Sequence, residues 1–223
     1  GKEHRDTLVI MNNLGLLLQD KGDAQSFAES EALLREVLEI RKRVLRENHP
    51  DTQDIMYNLA NLLKQKKDAE SLSEAEALAI DAVEGSKKTR GIKNPRTLEN
   101  IFALATILDE KKDPKSLTEA EGLYRETLKN CQEALGKEHP LTLKVEYNLA
   151  GNLWRKGDVG SLQESENLYR ETMEIRKKIL GEKNPYTLNS MYGLAYVLNK
   201  KGDAESLIEA MALRAEIKAI KGN

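Results

Sequence analysis

The sequence predicts an all-α protein, an α-solenoid of five helix-turn-helix repeats with a 45-residue period. The segment TQDIMYNLANLL, at residues 52–63, recurs every 45 residues as TLENIFALATIL, TLKVEYNLAGNL and TLNSMYGLAYVL, and it is preceded by TLVIMNNLGLLL. Each copy has apolar residues at helical spacing, and a second amphipathic segment follows it. A fixed period of 20–50 residues is typical of units that stack to bury apolar faces they cannot bury alone.

The period accounts for the whole chain of 223 residues, so a single solenoid domain over residues 1–223 is predicted. The repeats occupy about residues 4–48, 49–93, 94–138, 139–183 and 184–223. The opening Gly1-Lys2-Glu3-His4 matches Gly136-Lys137-Glu138-His139, which joins two repeats. We therefore expect the chain to be a piece of a longer array.

The first helix of each repeat, helix A, is predicted to begin near a His or Asn and, in four repeats, a Pro, as at His49-Pro50. Proline suits the first helical turn because no intrahelical partner needs its missing N–H. We interpret the histidines as helix caps, because Asn replaces them in other repeats. Helix A is expected to end at glycines such as Gly22 and Gly157, which adopt the left-handed backbone conformation easily.

The second helix, helix B, is predicted to begin at a serine that is followed three residues later by a glutamate. Ser26 with Glu29 is the first example, and this capping box occurs in all five repeats. Small residues at positions 30, 75, 120, 165 and 210 are expected to let helices A and B approach closely. Gly85 stands where Ile40 and Ile175 stand elsewhere, which predicts either a hinge or ordinary sequence drift.

Composition excludes several classes of protein. The net charge of −2 does not favour nucleic-acid binding, for which a distinctly basic domain is typical. The single Cys131 excludes an intrachain disulfide, and no apolar run is long enough to cross a bilayer. The Asp-Ser-Glu loops lack the spacing of calcium ligands. We expect a cytoplasmic, non-enzymatic protein without metal or cofactor.

The repeats resemble tetratricopeptide repeats, and in particular the long repeats of kinesin light chains. Asn12-Asn13-Leu14-Gly15 matches the helix A motif, whereas the segments at 121–128 and 166–173 and Leu38-Glu-Ile-Arg41 match helix B. The resemblance covers the whole chain. It implies a right-handed solenoid and a protein-interaction scaffold or adaptor, whose concave groove, lined by helix A, binds an extended peptide.

Helical spacing places one stripe of helix A in this groove. Its aromatic positions are Tyr57, Phe102, Tyr147 and Tyr192, and Trp154 and Tyr196 follow on the same face. The predicted peptide-binding residues are Asn13, Tyr57, Asn58, Asn61, Lys64, Phe102, Tyr147, Asn148, Trp154, Tyr192, Tyr196 and Asn199. The alternative is that the aromatic stripe packs in the core.

The charges along the stripe are mixed, because Lys64, Arg155 and Lys200 alternate with acidic residues such as Asp54 and Glu99. An internal peptide segment with apolar or aromatic anchors is therefore favoured over a terminal carboxylate. A homo-oligomeric array without a peptide ligand is the other hypothesis. In the last helix B, Ile208 and Met211 replace polar residues, so either a further repeat or a second copy of the chain is expected to cover them.

Overall fold

The computed structural model describes residue 1 and residues 3–222, and over these residues it contains ten α-helices and no strand. The helices are α1 (Arg5–Lys21), α2 (Ala24–Leu45), α3 (Pro50–Lys64), α4 (Ala69–Arg90), α5 (Pro95–Lys111), α6 (Pro114–Leu135), α7 (Pro140–Lys156), α8 (Val159–Leu180), α9 (Pro185–Lys201) and α10 (Ala204–Gly222). Odd-numbered helices correspond to helix A and even-numbered helices to helix B. The all-α prediction is confirmed.

The chain divides into two compact units, Gly1–Ser116 and Leu117–Asn223, and the division falls inside α6. In the first unit, α1 to α4 each pack on the next helix, and α3 also contacts α1 and α5. In the second unit, α7 to α10 pack in the same order, and α7 contacts α9. This consecutive packing is that of tetratricopeptide-like helical repeats.

Each helix A begins at a His or Asn side chain, as the sequence predicts. His49 Nδ1 accepts a hydrogen bond from the Asp51 amide at 3.1 Å, and Asn94 Oδ1 accepts one from the Arg96 amide at 2.9 Å. The side chain thereby satisfies one of the backbone N–H groups that have no partner in the first helical turn. The histidines therefore act as helix caps.

The structure corrects the predicted start of helix B. The N-cap of α2 is Asp23, whose carboxylate accepts from the Ser26 amide at 2.9 Å, while the Ser26 hydroxyl donates back to it at 2.7 Å. Ser26 is therefore the third residue of the helix, and Glu29 lies beyond the cap. These bonds from Ser26 lower the pKa of Asp23. The cap prediction was displaced by three residues because Asp and Ser are both good N-caps.

Helices A and B meet at two small residues, one on each helix. The helix B positions are Ser30, Ala75, Ala120, Ser165 and Ala210, and all five are buried. Where the residue is serine, its hydroxyl donates to a helix A carbonyl: Ser30 to Gly15 and Ser165 to Ala150, both at 2.7 Å. The predicted close approach of helices A and B is confirmed at Ser30 and Ser165.

Charged side chains link successive repeats on the outer side of helix B. In the first unit, Glu31 accepts from Lys66 at 2.6 Å and from Arg35, and Arg35 also binds Glu74. The same arrangement recurs in the second unit, where Lys201, Glu166, Arg170 and Glu209 form a continuous chain of ion pairs. We call this arrangement the junction ladder. It holds neighbouring helix B segments in a fixed register.

Gly85 does not form a hinge, because α4 runs without interruption from Ala69 to Arg90. A Cβ atom at this position would lie 2.5 Å from Nε2 of Gln53, a buried residue of α3. Gln53 stands where the other repeats have leucine, and its amide donates to the Asn48 carbonyl at 3.0 Å. The glycine therefore provides the space for a longer, hydrogen-bonded side chain on the adjacent helix.

Replacing Gly85 by isoleucine should lower the unfolding midpoint by the equivalent of about 1–3 kcal/mol, because the new side chain overlaps Gln53. Combining it with Gln53→Leu recreates the Leu8 and Ile40 pair of the first repeat and should recover most of the loss. Chemical denaturation of the parent, both single variants and the double variant measures this coupling. If the changes in unfolding free energy of the two single variants simply add up in the double variant, residues 53 and 85 are not coupled and the explanation is wrong.

A carboxylate is buried at an apolar position of the second unit. Glu146 on α7 occupies the position of Met56 and Met191, and it is only 3% exposed. Burial raises the pKa of Glu146 to about 7, with a further contribution from Glu171, while a hydrogen bond to Thr172 acts in the opposite direction. The folded chain therefore holds this proton more tightly than the unfolded chain, whose pKa is near 4.5.

The stability of the parent should fall as the pH rises from about 4.5 to 7, since Glu146 then loses its proton in a buried site. Glu146→Met should remove this dependence and raise the free energy of unfolding at pH 8 by roughly 1–3 kcal/mol. Urea denaturation at pH 5 and pH 8 measures both effects. Glu174→Met, on the exposed surface of α8, is the control and should retain the parent's dependence on pH.

Candidate functional site

In the first unit, the predicted groove residue Tyr57 is half-buried beneath a cation. The Arg96 guanidinium lies 4.3 Å from the centre of the Tyr57 ring, and it also pairs with Asp54 and Glu99 at 2.8 Å each. Burial raises the pKa of the Tyr57 hydroxyl. One face of this ring is therefore covered by an ion-paired arginine.

The predicted groove asparagines use amide N–H groups inside the protein. Asn58 donates to Asn12 Oδ1 at 2.8 Å, Asn61 donates to the Tyr57 carbonyl at 2.9 Å, and Asn148 donates to the Lys144 carbonyl at 2.8 Å. Lys64 donates to the Thr106 hydroxyl at 2.9 Å. An amide nitrogen has two hydrogens, so these contacts orient the side chains while leaving part of their bonding capacity.

Two further residues from the prediction have contrasting environments. Phe102 is only 6% exposed and belongs to the core, so its ring is not presented on the surface. Asn13 is exposed, and its side-chain oxygen accepts from Asn12 at 3.3 Å. The aromatic stripe of the sequence therefore includes both buried and accessible side chains.

The second unit brings five of the predicted residues together around one groove of about 540 Å³. They are Tyr147, Asn148 and Trp154 from α7 and Tyr192 and Tyr196 from α9. The groove is completed by Gly151, Arg155, Tyr169, Asn189, Gly193 and Lys221. Asn199 is exposed but does not line this groove. We call this site the aromatic groove.

The rings of the aromatic groove are held in a defined arrangement. Tyr147 and Tyr169 meet edge to face, with centroids 5.2 Å apart, and Trp154 lies 6.4 Å from Tyr196. The buried Arg176 lies 5.1 Å from the Tyr147 ring and donates to the Leu143 carbonyl at 3.0 Å. Stacked and edge-on aromatic pairs restrict each other's rotamers, so the groove is preorganised.

Tyr169 is the main groove residue that sequence reasoning missed, because it belongs to helix B rather than helix A. Its ring fits against two glycines of helix A segments: a Cβ on Gly193 would lie 2.4 Å from Tyr169 Cε1, and one on Gly151 would lie 3.3 Å from its hydroxyl. Gly193 replaces the Asn or Ala of the other repeats, and Gly151 stands where they have Leu, Asn, Thr or Tyr. The two glycines facing one tyrosine are the signal that could have revealed the site.

Two lysines of the last hairpin lie beside rings of the aromatic groove. Lys200 Nζ lies 5.0 Å from the Trp154 ring and donates to the Trp154 carbonyl, while Lys221 Nζ lies 5.0 Å from the Tyr192 ring. Arg155 and Lys221 line the groove, and the described lining residues include no carboxylate. The aromatic groove therefore has a positive character, unlike the mixed charge predicted for the stripe as a whole.

The described residues provide little for catalysis or metal binding. They contain no group of three or more His, Cys, Asp or Glu side chains able to hold a metal ion. Cys131 is buried, and burial raises the pKa of its thiol to about 11, which disfavours the reactive thiolate. In residues 1 and 3–222, no helix has the length and apolar character required to span a membrane.

Comparison with known proteins identifies the repeats. A tetratricopeptide-repeat family model matches residues 7–51, 115–141 and 148–186. The matched segments are therefore tetratricopeptide repeats, and a solved structure of kinesin-light-chain-like repeats is among the structural neighbours of the chain. The resemblance seen in the sequence is thus confirmed. No curated protein shows significant sequence similarity to the chain.

Two solved structures illustrate the likeness. A Podosopora anserina protein described as a kinesin light chain with nearly identical TPR-like repeats has a TM-score of 0.78 and 25% identity, covering 98% of this chain and 96% of that one. BtubC from P. vanneervenii also has a TM-score of 0.78, at 22% identity, covering 97% of this chain and 80% of its own. The second comparison shows a shared fold alone.

Gly193→Ala should lower the melting temperature, because the added methyl group overlaps the Tyr169 ring. Gly122→Ala is the matched control: Gly122 lies in α6, and nothing is within 4 Å of an added Cβ. There alanine should be neutral or stabilise by up to about 1 kcal/mol through its helix propensity. Circular dichroism melts of both variants test the difference.

The steric explanation has a second test in the background Tyr169→Leu, which restores the leucine found at the corresponding Leu34. In that background, Gly193→Ala should cost much less than in the parent. An equal loss in both backgrounds would mean that the tyrosine ring is not the reason for the glycine.

Proposed function

We propose that this chain is a protein-interaction scaffold whose aromatic groove binds an extended segment of a partner protein. Tetratricopeptide repeats generally mediate protein–protein interactions, and solenoids of this type are typically non-enzymatic. We propose that this chain likewise has no catalytic activity and needs no cofactor. The cytoplasmic location stays a prediction.

The observation that carries the proposal is the group of five aromatic rings around one open groove. Tyr147, Trp154, Tyr192 and Tyr196 project from two successive helix A segments, and Tyr169 fills the space between them. Tyrosine and tryptophan provide large contact areas with few rotatable bonds, and they are enriched among residues that dominate binding energy. An apolar or aromatic side chain of the partner is the expected occupant.

The charges of the groove favour a partner segment that carries carboxylates. Arg155 and Lys221 contribute positive charge, and Lys200 lies on the Trp154 ring beside them. Acidic side chains flanking the anchor would pair with these cations, whereas basic ones would be repelled. Asn148 and Asn189 add amide groups that suit the backbone of an extended peptide.

The proposal is tested with a display library of random ten-residue segments selected on the parent chain. The selected segments should be enriched in an apolar or aromatic residue flanked by Asp or Glu. Tyr192→Ala and Lys221→Glu should each weaken binding of a selected synthetic peptide by about tenfold or more. Isothermal calorimetry with the purified chain measures the dissociation constants.

Tyr186→Ala is the matched control, because Tyr186 is an exposed tyrosine of α9 that does not line the groove. It should bind the selected peptide as the parent does. If the selected segments are not enriched in Asp or Glu, the acidic preference is refuted. If the groove variants bind the peptide as tightly as the parent does, the aromatic groove is not the binding site.

A further inference from the structure

The outward face of α10 is apolar along most of its length. Ile208 and Met211 are 70% and 71% exposed, and Ala212, Ala215 and Ala219 continue the same face at helical spacing. We call these five residues the outer α10 face. It lies apart from the groove residue Lys221 on the helix surface.

A following repeat would leave most of this face uncovered. The residues that correspond to Ile208 are Ala28, Ser73, Thr118 and Gln163, and all four are exposed although a repeat follows each of them. The stacking surface of a repeat behaves differently: Ile10, Leu14 and Leu17 of α1 are exposed, but their counterparts in α3 are fully buried. Met211 is the exception, because its counterpart Glu166 is only 8% exposed and bonds Lys201 of the following repeat. The rest of the outer α10 face is therefore not an unfinished stacking surface.

The face has also lost the charged groups of the junction ladder. Met211 occupies the position of Glu31, Glu76, Glu121 and Glu166, each of which binds a lysine at or just beyond the end of the next helix A. Ala215 occupies the position of the arginine in three of the four earlier repeats. Both exchanges replace a charge with an apolar side chain, so the surface suits an apolar partner.

We propose that the outer α10 face binds the same face of a second copy of this chain. Charges border the face asymmetrically: Glu205 and Glu216 lie along one flank, and Arg214 and Lys218 along the other. A two-fold axis parallel to the helix places the acidic flank of one copy against the basic flank of the other. An antiparallel pair would juxtapose flanks of like charge, which costs energy.

The alanines allow the two helices to approach closely, while Ile208 and Met211 supply most of the apolar area. A contact confined to one helix is smaller than a standard stable interface, which buries about 1,200–2,000 Å². We therefore expect a dimer with a dissociation constant in the micromolar range, on the order of 10–100 μM.

Sedimentation velocity over concentrations from about 5 to 500 μM tests the dimer, since these bracket the expected dissociation constant. The parent should shift from monomer to dimer, and Ile208→Glu combined with Met211→Glu should stay monomeric with an unchanged melting temperature. The control, Ile10→Glu combined with Leu17→Glu, alters the exposed apolar face of α1 and should still dimerise. A parent that is monomeric throughout would overturn the proposal.

Oligomers larger than a dimer that disappear in the α1 variant would also overturn the proposal. Such oligomers would indicate that α1 stacks head-to-tail on a second copy of the chain. The orientation is tested by oxidative cross-linking of Ala215→Cys, since the native Cys131 is buried. In the parallel pair, the two introduced cysteines lie across the axis from each other and should cross-link rapidly. The parallel arrangement would be contradicted if rapid cross-linking occurred only when Ala212→Cys chains were mixed with Ala215→Cys chains.

Discussion

The close contact between helices A and B of a repeat is the constraint on which the remaining structure depends. At this contact only glycine, alanine or serine is present on either helix, and the serine hydroxyls bond a carbonyl of the facing helix at 2.7 Å. A larger side chain would force the helices apart, since packed interiors accommodate extra volume poorly. With that distance fixed, corresponding helix A residues fall into register within each unit, and side chains such as Tyr147 and Tyr192 become neighbours.

Exceptions to the repeat pattern occur as paired exchanges between facing helices. Gln53 replaces a leucine where Gly85 replaces an isoleucine, and Tyr169 is accompanied by Gly193. Asn100 and Ser86 form another such pair, joined by a hydrogen bond of 3.1 Å. Each exchange can be accommodated locally, because a repeat contacts only its neighbours. The Gln53–Gly85 and Asn100–Ser86 pairs are buried. The pairing of Tyr169 with Gly193 instead opens a space beside an accessible surface and creates the aromatic groove.

Features governed by local chemistry could be predicted from the sequence. Helix spans, the histidine caps and the small contact residues all follow from patterns within one repeat. The cap of helix B was misplaced, since Asp23 and Ser26 satisfy the same sequence rule and only their hydrogen bonds distinguish them. The groove was predicted in part: a helical wheel places Phe102 and Tyr147 on one face, but it contains no information about the helices packed over that face. Tyr169 was missed for the same reason.

Adjacent residues of equal charge face opposite sides of the repeat. The net charge of the chain therefore does not predict the charge of the aromatic groove. Lys200 lies over the Trp154 ring, whereas the next residue, Lys201, bonds Glu166 of the junction ladder at 2.6 Å. Successive residues point about 100° apart on a helix, so one cation faces the groove and the other the outer surface. Acidic residues of the ladder, such as Glu166, and of the caps, such as Asp158, are satisfied by cations and backbone amides away from the groove. A chain with a net charge of −2 therefore presents a local positive surface, because the described lining residues of the groove include Arg155 and Lys221 and no carboxylate.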